Sequence, residues 1–377
     1  MTSTQPSYVS SQTWITLLGR TDVPADGVAD YCAFLGQALA RRGVDLKIVR
    51  APIEKGWLRA LLEIRRMIAG SRGNWILLQY TALGWSRRGF PLGAVATLLF
   101  LRLHGMTCGV VFHESVRQYS PKETWLSLAR GAIQDSVIHA LHRLSQRSIF
   151  TVPLDTISWL SVRDTKGVFI PLGANIPEPV PSNAAFRARA DEGKTVAVFC
   201  VSDRPFRERE ITEIAHAMRC ASAALPDLNI VFLGRGTREA QNDIARAFDG
   251  IPVRVKNLGL CGLDQVSRVL AESDAILCVR GKLNLRRASA LAGIAAAVPI
   301  LGYSGAATGT PLMDAGIDFV PDGDKAALGV ALIRVLTDRV HWPNLHERNL
   351  RAQHQYFSWD SIAASCESSL DGDRTEI

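Results

Sequence analysis

The sequence predicts an α/β protein built from two doubly wound domains, and three observations carry that prediction. Short apolar runs alternate with helical stretches through the first half of the chain. A proline-bearing break follows at Asn175 to Lys194, with Pro177, Pro179 and Pro181. The same alternation then restarts at Thr195. Strands that alternate with helices favour a parallel sheet covered on both faces. At 377 residues the chain is long enough for two such cores.

In the first half, Thr13 to Gly19 reads as a strand, and a loop with Pro24 and Gly27 follows. Val28 to Arg42 reads as a helix that ends at Gly43, a residue suited to the left-handed C-cap. Asp45 to Val49, Trp75 to Leu78, Thr107 to Phe112, Ser148 to Val152 and Gly167 to Pro171 read as further strands. In the second half the expected strands are Thr195 to Val201, Leu228 to Leu233, Val253 to Leu258, Ala275 to Val279 and Val298 to Leu301. Helices are expected at Glu208 to Ala224, Leu285 to Ala297 and Lys325 to Thr337. The domains are therefore expected at 1–176 and 177–354, with a helix at about 355–370 packing back on the first. Open α/β sheets bind ligands at the carboxyl ends of their strands, so two of them are expected to face a common cleft.

The chain is 47% hydrophobic and 21% charged, with a formal net charge of +7 and a pI near 9.2. That basic excess suits a phosphate-rich ligand, an anionic membrane or nucleic acid without choosing among them. No nucleic-acid motif stands out and the basic residues lack aromatic interleaving, so no nucleic-acid partner is expected. The seven cysteines are scattered and read as buried thiols of a reducing compartment. Met1 to Ser11 is polar with no apolar core, which argues against a signal peptide. The most lipid-like run, Phe90 to Leu101, is too short to cross a bilayer, which needs ~20 residues.

The order of features in the second half resembles the donor domain of GT-B glycosyltransferases, family 4 in particular. Ser273-Asp274-Ala275-Ile276-Leu277 resembles that family's acidic entry to a strand. Ala295-Ala296-Ala297-Val298-Pro299-Ile300 resembles its helix end, with Ala297 in place of Gly. In the first half, Gly27-Val-Ala-Asp-Tyr31 with Arg42-Gly43-Val44, Val111-Phe-His113-Glu114 and Ile170-Pro-Leu-Gly173-Ala-Asn175 are similar to family motifs. So is Tyr356-Phe357-Ser358-Trp359 near the C-terminus. The resemblance covers nearly the whole chain. One departure matters: the family's E-x7-E falls on Asn284 and Ala292, so both carboxylates are missing. The loop instead carries Lys282, Asn284, Arg286, Arg287 and Ser289.

The resemblance implies a retaining transferase that moves a sugar from a nucleotide-diphosphate sugar, its co-substrate, to a lipid-linked or polysaccharide acceptor. No metal or other cofactor is implied. In such a fold the leaving diphosphate is met by helix N-termini and by Arg or Lys. The Lys282 to Ser289 segment, read as opening a helix, is placed for that task; a solvated basic helix start is the other reading. Adjacent helical residues diverge by about 100°, so Arg286 and Arg287 cannot both face the ligand. Arg204 and Arg207, after the first strand of the second domain, are expected on the diphosphate, though a surface turn reads equally well. Gly234 and Gly236 fit a nucleotide-base turn or a plain tight turn. His113 is the catalytic candidate, near donor sugar and acceptor hydroxyl, while Gly27 and Asp30 would let backbone approach acceptor or phosphate. Asp30 equally suits the positive end of a helix dipole.

Retaining members of the family need no protein nucleophile, because the acceptor hydroxyl attacks from the leaving-group side; a donor phosphate oxygen can take its proton. Asp322-Gly-Asp324 and Asp371-Gly-Asp373 are not read as metal sites; Asp324 reads as a helix N-cap. On the acceptor side, Trp57, Leu61, Ile64 and Ile68 recur at helical spacing with Arg59, Arg65 and Arg66 between them. That pattern suits either packing on the sheet or peripheral contact with an anionic membrane, at the cytoplasmic face of the plasma membrane. The missing carboxylates also admit a catalytically silent GT-B subunit that binds a glycan or a partner.

Overall fold

The structure is a computed structural model that describes residues 12–21, 27–117, 124–177, 193–306 and 308–371. Residues 178–192, most of the expected linker, lie outside the described residues, as do Pro24 and the N-terminal segment. The chain divides into two compact units that meet in sequence at Pro171 and Leu172.

The first unit runs β1 (Gln12–Leu18), α1 (Gly27–Arg41), β2 (Val44–Arg50), α2 (Trp57–Met67), β3 (Trp75–Tyr80), α3 (Ala82–Trp85) and α4 (Leu92–Leu103). It continues with β4 (Thr107–Phe112), α5 (Trp125–Leu144), β5 (Arg147–Phe150) and β6 (Gly167–Phe169). Its six strands are all parallel in the order β2-β1-β3-β4-β5-β6. The central strand β3, Trp-Ile-Leu-Leu-Gln-Tyr, is buried along its whole length, as a parallel strand with helices on both faces must be. On one face Ile15, Leu17, Leu78 and Phe112 form a core with Ile64 of α2 and Leu98 and Leu101 of α4.

The second unit runs β7 (Thr195–Phe199), α6 (Phe206–Ala224), β8 (Asn229–Leu233), α7 (Gln241–Ala247), β9 (Arg254–Asn257), α8 (Leu263–Ala271) and β10 (Ala275–Lys282). It continues with α9 (Ala288–Ala295), β11 (Ile300–Tyr303), β12 (Ile317–Val320), α10 (Lys325–Thr337) and α11 (His341–Ala352). The parallel order is β12-β11-β10-β7-β8-β9. Taken from its first strand, this is the 3-2-1-4-5-6 doubly wound order. The chain leaves β7 toward one edge and β10 toward the other, so the topological switch point lies over their carboxyl ends. Asp274 ties the opposite ends together: its carboxylate accepts from Thr195 N at 2.8 Å and Lys194 Nζ at 3.2 Å.

The helix expected from Leu285 begins at Ala288. Asn284 Oδ1 accepts the Arg286 backbone N–H at 3.0 Å and closes a turn first. Arg286 and Arg287 therefore precede the helix, and β10 extends three residues past its expected end to Lys282. The strand β12 was not anticipated. A last helix, α12 (Trp359–Asp371), rejoins the first unit. There Trp359 stacks on Phe34 at 5.5 Å, and Trp75 Nε1 donates to Leu370 O at 3.1 Å.

Candidate functional site

The switch point of the second unit holds a cavity of about 530 Å³. One wall is the loop after β7, with Ser202, Asp203 and Arg204, leading into Phe206, Arg209 and Glu210 of α6. The other is the end of β10, with Arg280 and Gly281, joined by Arg287 and Asp322. Two guanidinium groups on this wall, those of Arg280 and Arg287, form no ion pair with a carboxylate among the described residues. Among the described residues, Arg280 Nε donates to Ser202 Oγ, at 3.3 Å. Arg287 is half-buried, and its Nε has no hydrogen-bond partner among the described residues. Burial, and then the neighbouring Arg280, pull the Arg287 pKa below its ordinary value. Two like charges held close in a partly desolvated pocket are costly, and an anion between them removes that cost.

The N-terminus of α6 opens on the same cavity. Its N-cap, Pro205, offers no side-chain acceptor, and the Phe206 N–H is taken by Asp203 O at 3.2 Å, so what the helix offers a ligand is its positive end. Arg204 adds an exposed guanidinium, 4.0 Å from Asp243. Arg209 is already engaged, with Glu213 Oε1 at 2.7 Å and Asp322 Oδ1 at 3.2 Å.

Glu210 is the buried counterweight. Its Oε2 accepts the Ser202 N–H at 2.8 Å, which fixes the loop that carries Ser202 and Arg204. Burial raises its pKa above the usual carboxylate value, against the Ser202 hydrogen bonds and the Arg280 and Arg287 charges. A raised carboxylate pKa stabilises the fold below the unfolded value and loses that contribution as pH rises through the folded one. Parent stability should therefore fall upward from about pH 4.5 by an increment that is absent in Glu210→Gln, as paired urea titrations across that range would show.

The structure sorts the sequence candidates. Arg204 and Arg287 line the cavity. Lys282 is not a lining residue; it is exposed, with Nζ 3.9 Å from the lining Asp322. Arg207 is off the wall: it is buried, and its Nε and Nη1 donate to Ser202 O at 3.2 Å and Glu239 O at 3.0 Å. It thus clamps the loop from behind. Asn284 is spent on its turn, Arg286 points to solvent, and Ser289 is buried beside the Cys278 thiol. Gly234 and Gly236 take φ of +90° and +81° and let the turn after β8 press on the β7 loop. A Cβ on Gly236 would lie 2.2 Å from Val201 O. The glycine pair supports the loop through close backbone approach.

In the first unit His113 follows β4 and is 8% exposed. Its Nε2 donates to Gln79 Oε1 at 2.7 Å, and Gln79 Nε2 donates to Thr16 Oγ1 at 2.9 Å. Tyr31 of α1 packs its edge on the ring at 5.0 Å, so the start of α1 and His113 are neighbours. Gly27 and Asp30 are exposed on the first turn of that helix. Glu114 Oε2 accepts the Ala82 N–H at 2.8 Å at the start of α3. Asp324 caps α10 through the Ala327 N–H at 2.9 Å.

Sequence reasoning missed Arg280, Glu210 and Asp322. Arg280 was accessible, as the first charge after the apolar run of β10. Glu210 was not, since its side chain is recruited by a loop eight residues earlier.

No protein-family profile and no curated protein matches the sequence. Solved structures match over nearly the whole chain. Sucrose-phosphate synthase from Thermosynechococcus elongatus is 15% identical with a TM-score of 0.67, covering 97% of this chain and 100% of that one. Anabaena HepE in complex with UDP and glucose is 12% identical at 0.65, covering 96% and 100%. An α,α-trehalose-phosphate synthase from Burkholderia vietnamiensis is 12% identical at 0.60, covering 97% and 99%. Identities this low speak to architecture alone. With two six-stranded parallel sheets and helices on their faces, the chain has the GT-B fold.

Proposed function

We propose that the chain is a glycosyltransferase that takes a sugar from a nucleotide-diphosphate sugar. The observation that carries this is the Arg280–Arg287 pair, which has no carboxylate ion pair among the described residues, at the switch point of the second unit. A dianionic diphosphate fits between these guanidinium groups and the α6 N-terminus. The charge that grows on the leaving group during transfer is then met by donors already in place. The neighbours bound to UDP or UDP-glucose support the ligand class.

In the reading we favour, configuration is retained and no metal takes part. The acceptor O–H adds to the anomeric carbon on the face from which the diphosphate departs. The carbon–oxygen bond to phosphate breaks, and the proton passes to the released phosphate oxygen. His113 serves the acceptor side, held in one orientation by Gln79. The acceptor is a lipid-linked or polysaccharide sugar at the cytoplasmic face of a membrane.

A second reading rests on Asn284 and Ala292, which replace the two carboxylates expected of family 4. Ala292 is buried inside α9 and Asn284 closes a turn, so neither supplies the missing function. A chain that binds the nucleotide sugar without transfer would answer to that. Thermal-shift screening with UDP-, GDP- and ADP-sugars, followed by donor hydrolysis with a chelator present, separates the two. Binding with slow, chelator-resistant hydrolysis is expected. Binding without hydrolysis favours the silent subunit, and no binding to any of the three overturns both.

A further inference from the structure

Helices α2 and α4 are joined through Trp57, whose ring lies so close to Gly93 that a Cβ there would be 1.3 Å from it. Of the expected apolar stripe of α2, Ile64 and Ile68 are buried in the core and Leu61 is half-buried, while Trp57 is 40% exposed. A second ridge remains outside: Leu58 is 81% and Leu62 is 55% exposed. Beside it α4 shows the same anomaly, with Leu92, Leu99 and Leu103 exposed at helical spacing. Helix surfaces of this kind are normally charged, and a set of exposed leucines on neighbouring helices marks a contact surface.

Exposed Arg65 and Arg66 of α2 and Arg102 of α4 accompany these leucines. The acid on these two helices, Glu63, is already paired with Arg59 at 3.3 Å. The face is thus apolar and cationic together. A second copy seated on it would bring arginines against arginines, whereas a layer of phosphate headgroups complements them. We infer that the α2–α4 face docks on an anionic lipid bilayer, its leucines in the acyl boundary and its arginines at the headgroup phosphates. The lipid-linked acceptor proposed above requires such a contact, but the face stands on its own residues.

The test is co-sedimentation of the full chain with vesicles of phosphatidylcholine alone or with about one-third phosphatidylglycerol. Binding to the mixed vesicles at low salt is expected, about tenfold weaker on phosphatidylcholine alone. Leu99→Ser with Leu103→Ser, and separately Arg65→Gln with Arg66→Gln, should each weaken it roughly tenfold. The arginine deficit should shrink at high salt while the leucine deficit persists. These positions are exposed, and unchanged thermal stability and UDP binding by the variants would show that fold and pocket are intact. Absence of binding to mixed vesicles, or variants that bind like the parent, would overturn the inference. So would a vesicle-free dimer that Leu103→Ser converts to monomer. Because UDP binding is measured separately, failure here is distinct from failure of the sugar-transfer reading.

Discussion

Arg287→Ala should bind a nucleoside diphosphate about a hundredfold more weakly than the parent, a loss of ~2.7 kcal/mol, while folding at least as stably. The two halves of this expectation have one cause. Without ligand, the half-buried guanidinium meets burial and Arg280, both of which disfavour its charge. Removing it relieves that repulsion and deletes a buried Nε that has no partner. With a diphosphate bound, the same charge and planar fork supply the interaction the empty pocket lacks. Arg287→Lys should fall between, since it keeps charge but not bidentate geometry. Calorimetric titration with UDP, GDP and ADP, alongside thermal melts, checks both halves. Affinity within threefold of the parent would remove Arg287 from the site. A large loss of stability would make it a structural residue.

Gly236→Ala should cost about 3 kcal/mol or more and lower the melting temperature by roughly 6–12 °C. Gly236 sits at φ +81°, and its added Cβ would meet Val201 O at 2.2 Å. The obstructing atom is backbone, so no rotamer change relieves the contact. Relief requires moving the loop that leads from β7 to Arg204, and nucleotide binding should fall with it. Gly250→Ala is the control. Its φ is +68° but nothing lies within 4 Å of the added atom, so it should cost only about 1 kcal/mol of backbone strain. Equal costs for the two variants would refute the close-approach account.

What the sequence made legible follows from periodicity. Buried parallel strands such as Trp75–Tyr80 and Thr107–Phe112 are short, mostly apolar runs, the pattern expected of strands covered on both faces. The strand Ile317–Val320 escaped because it is short and carries Asp318, whose charge is answered by Arg334 at 2.6 Å and His341 at 3.0 Å, from residues far along the chain. The site divides similarly. That basic residues cluster after β7 and β10 was readable. Which of them reach the cavity was not, because Arg204 and Arg207 differ only in their three-dimensional neighbours. Arg207 finds two backbone carbonyls and turns away from the cavity, whereas Arg287 finds none for its Nε among the described residues and lines the cavity.

The return of α12 to the first unit has a consequence for biosynthesis. Trp359, Ile362, Ala363, Cys366 and Leu370 are all buried, so the first unit lacks part of its interior until this helix is made. Between Pro171 and Trp359 the ribosome must add the 187 residues of the second unit, which takes roughly 10–40 s. For that time the surface of α1 around Tyr31 and Phe34, which Trp359 covers in the finished molecule, is open on the nascent chain. The second unit is contiguous in sequence, so all of it has been translated before the last helix of the first unit.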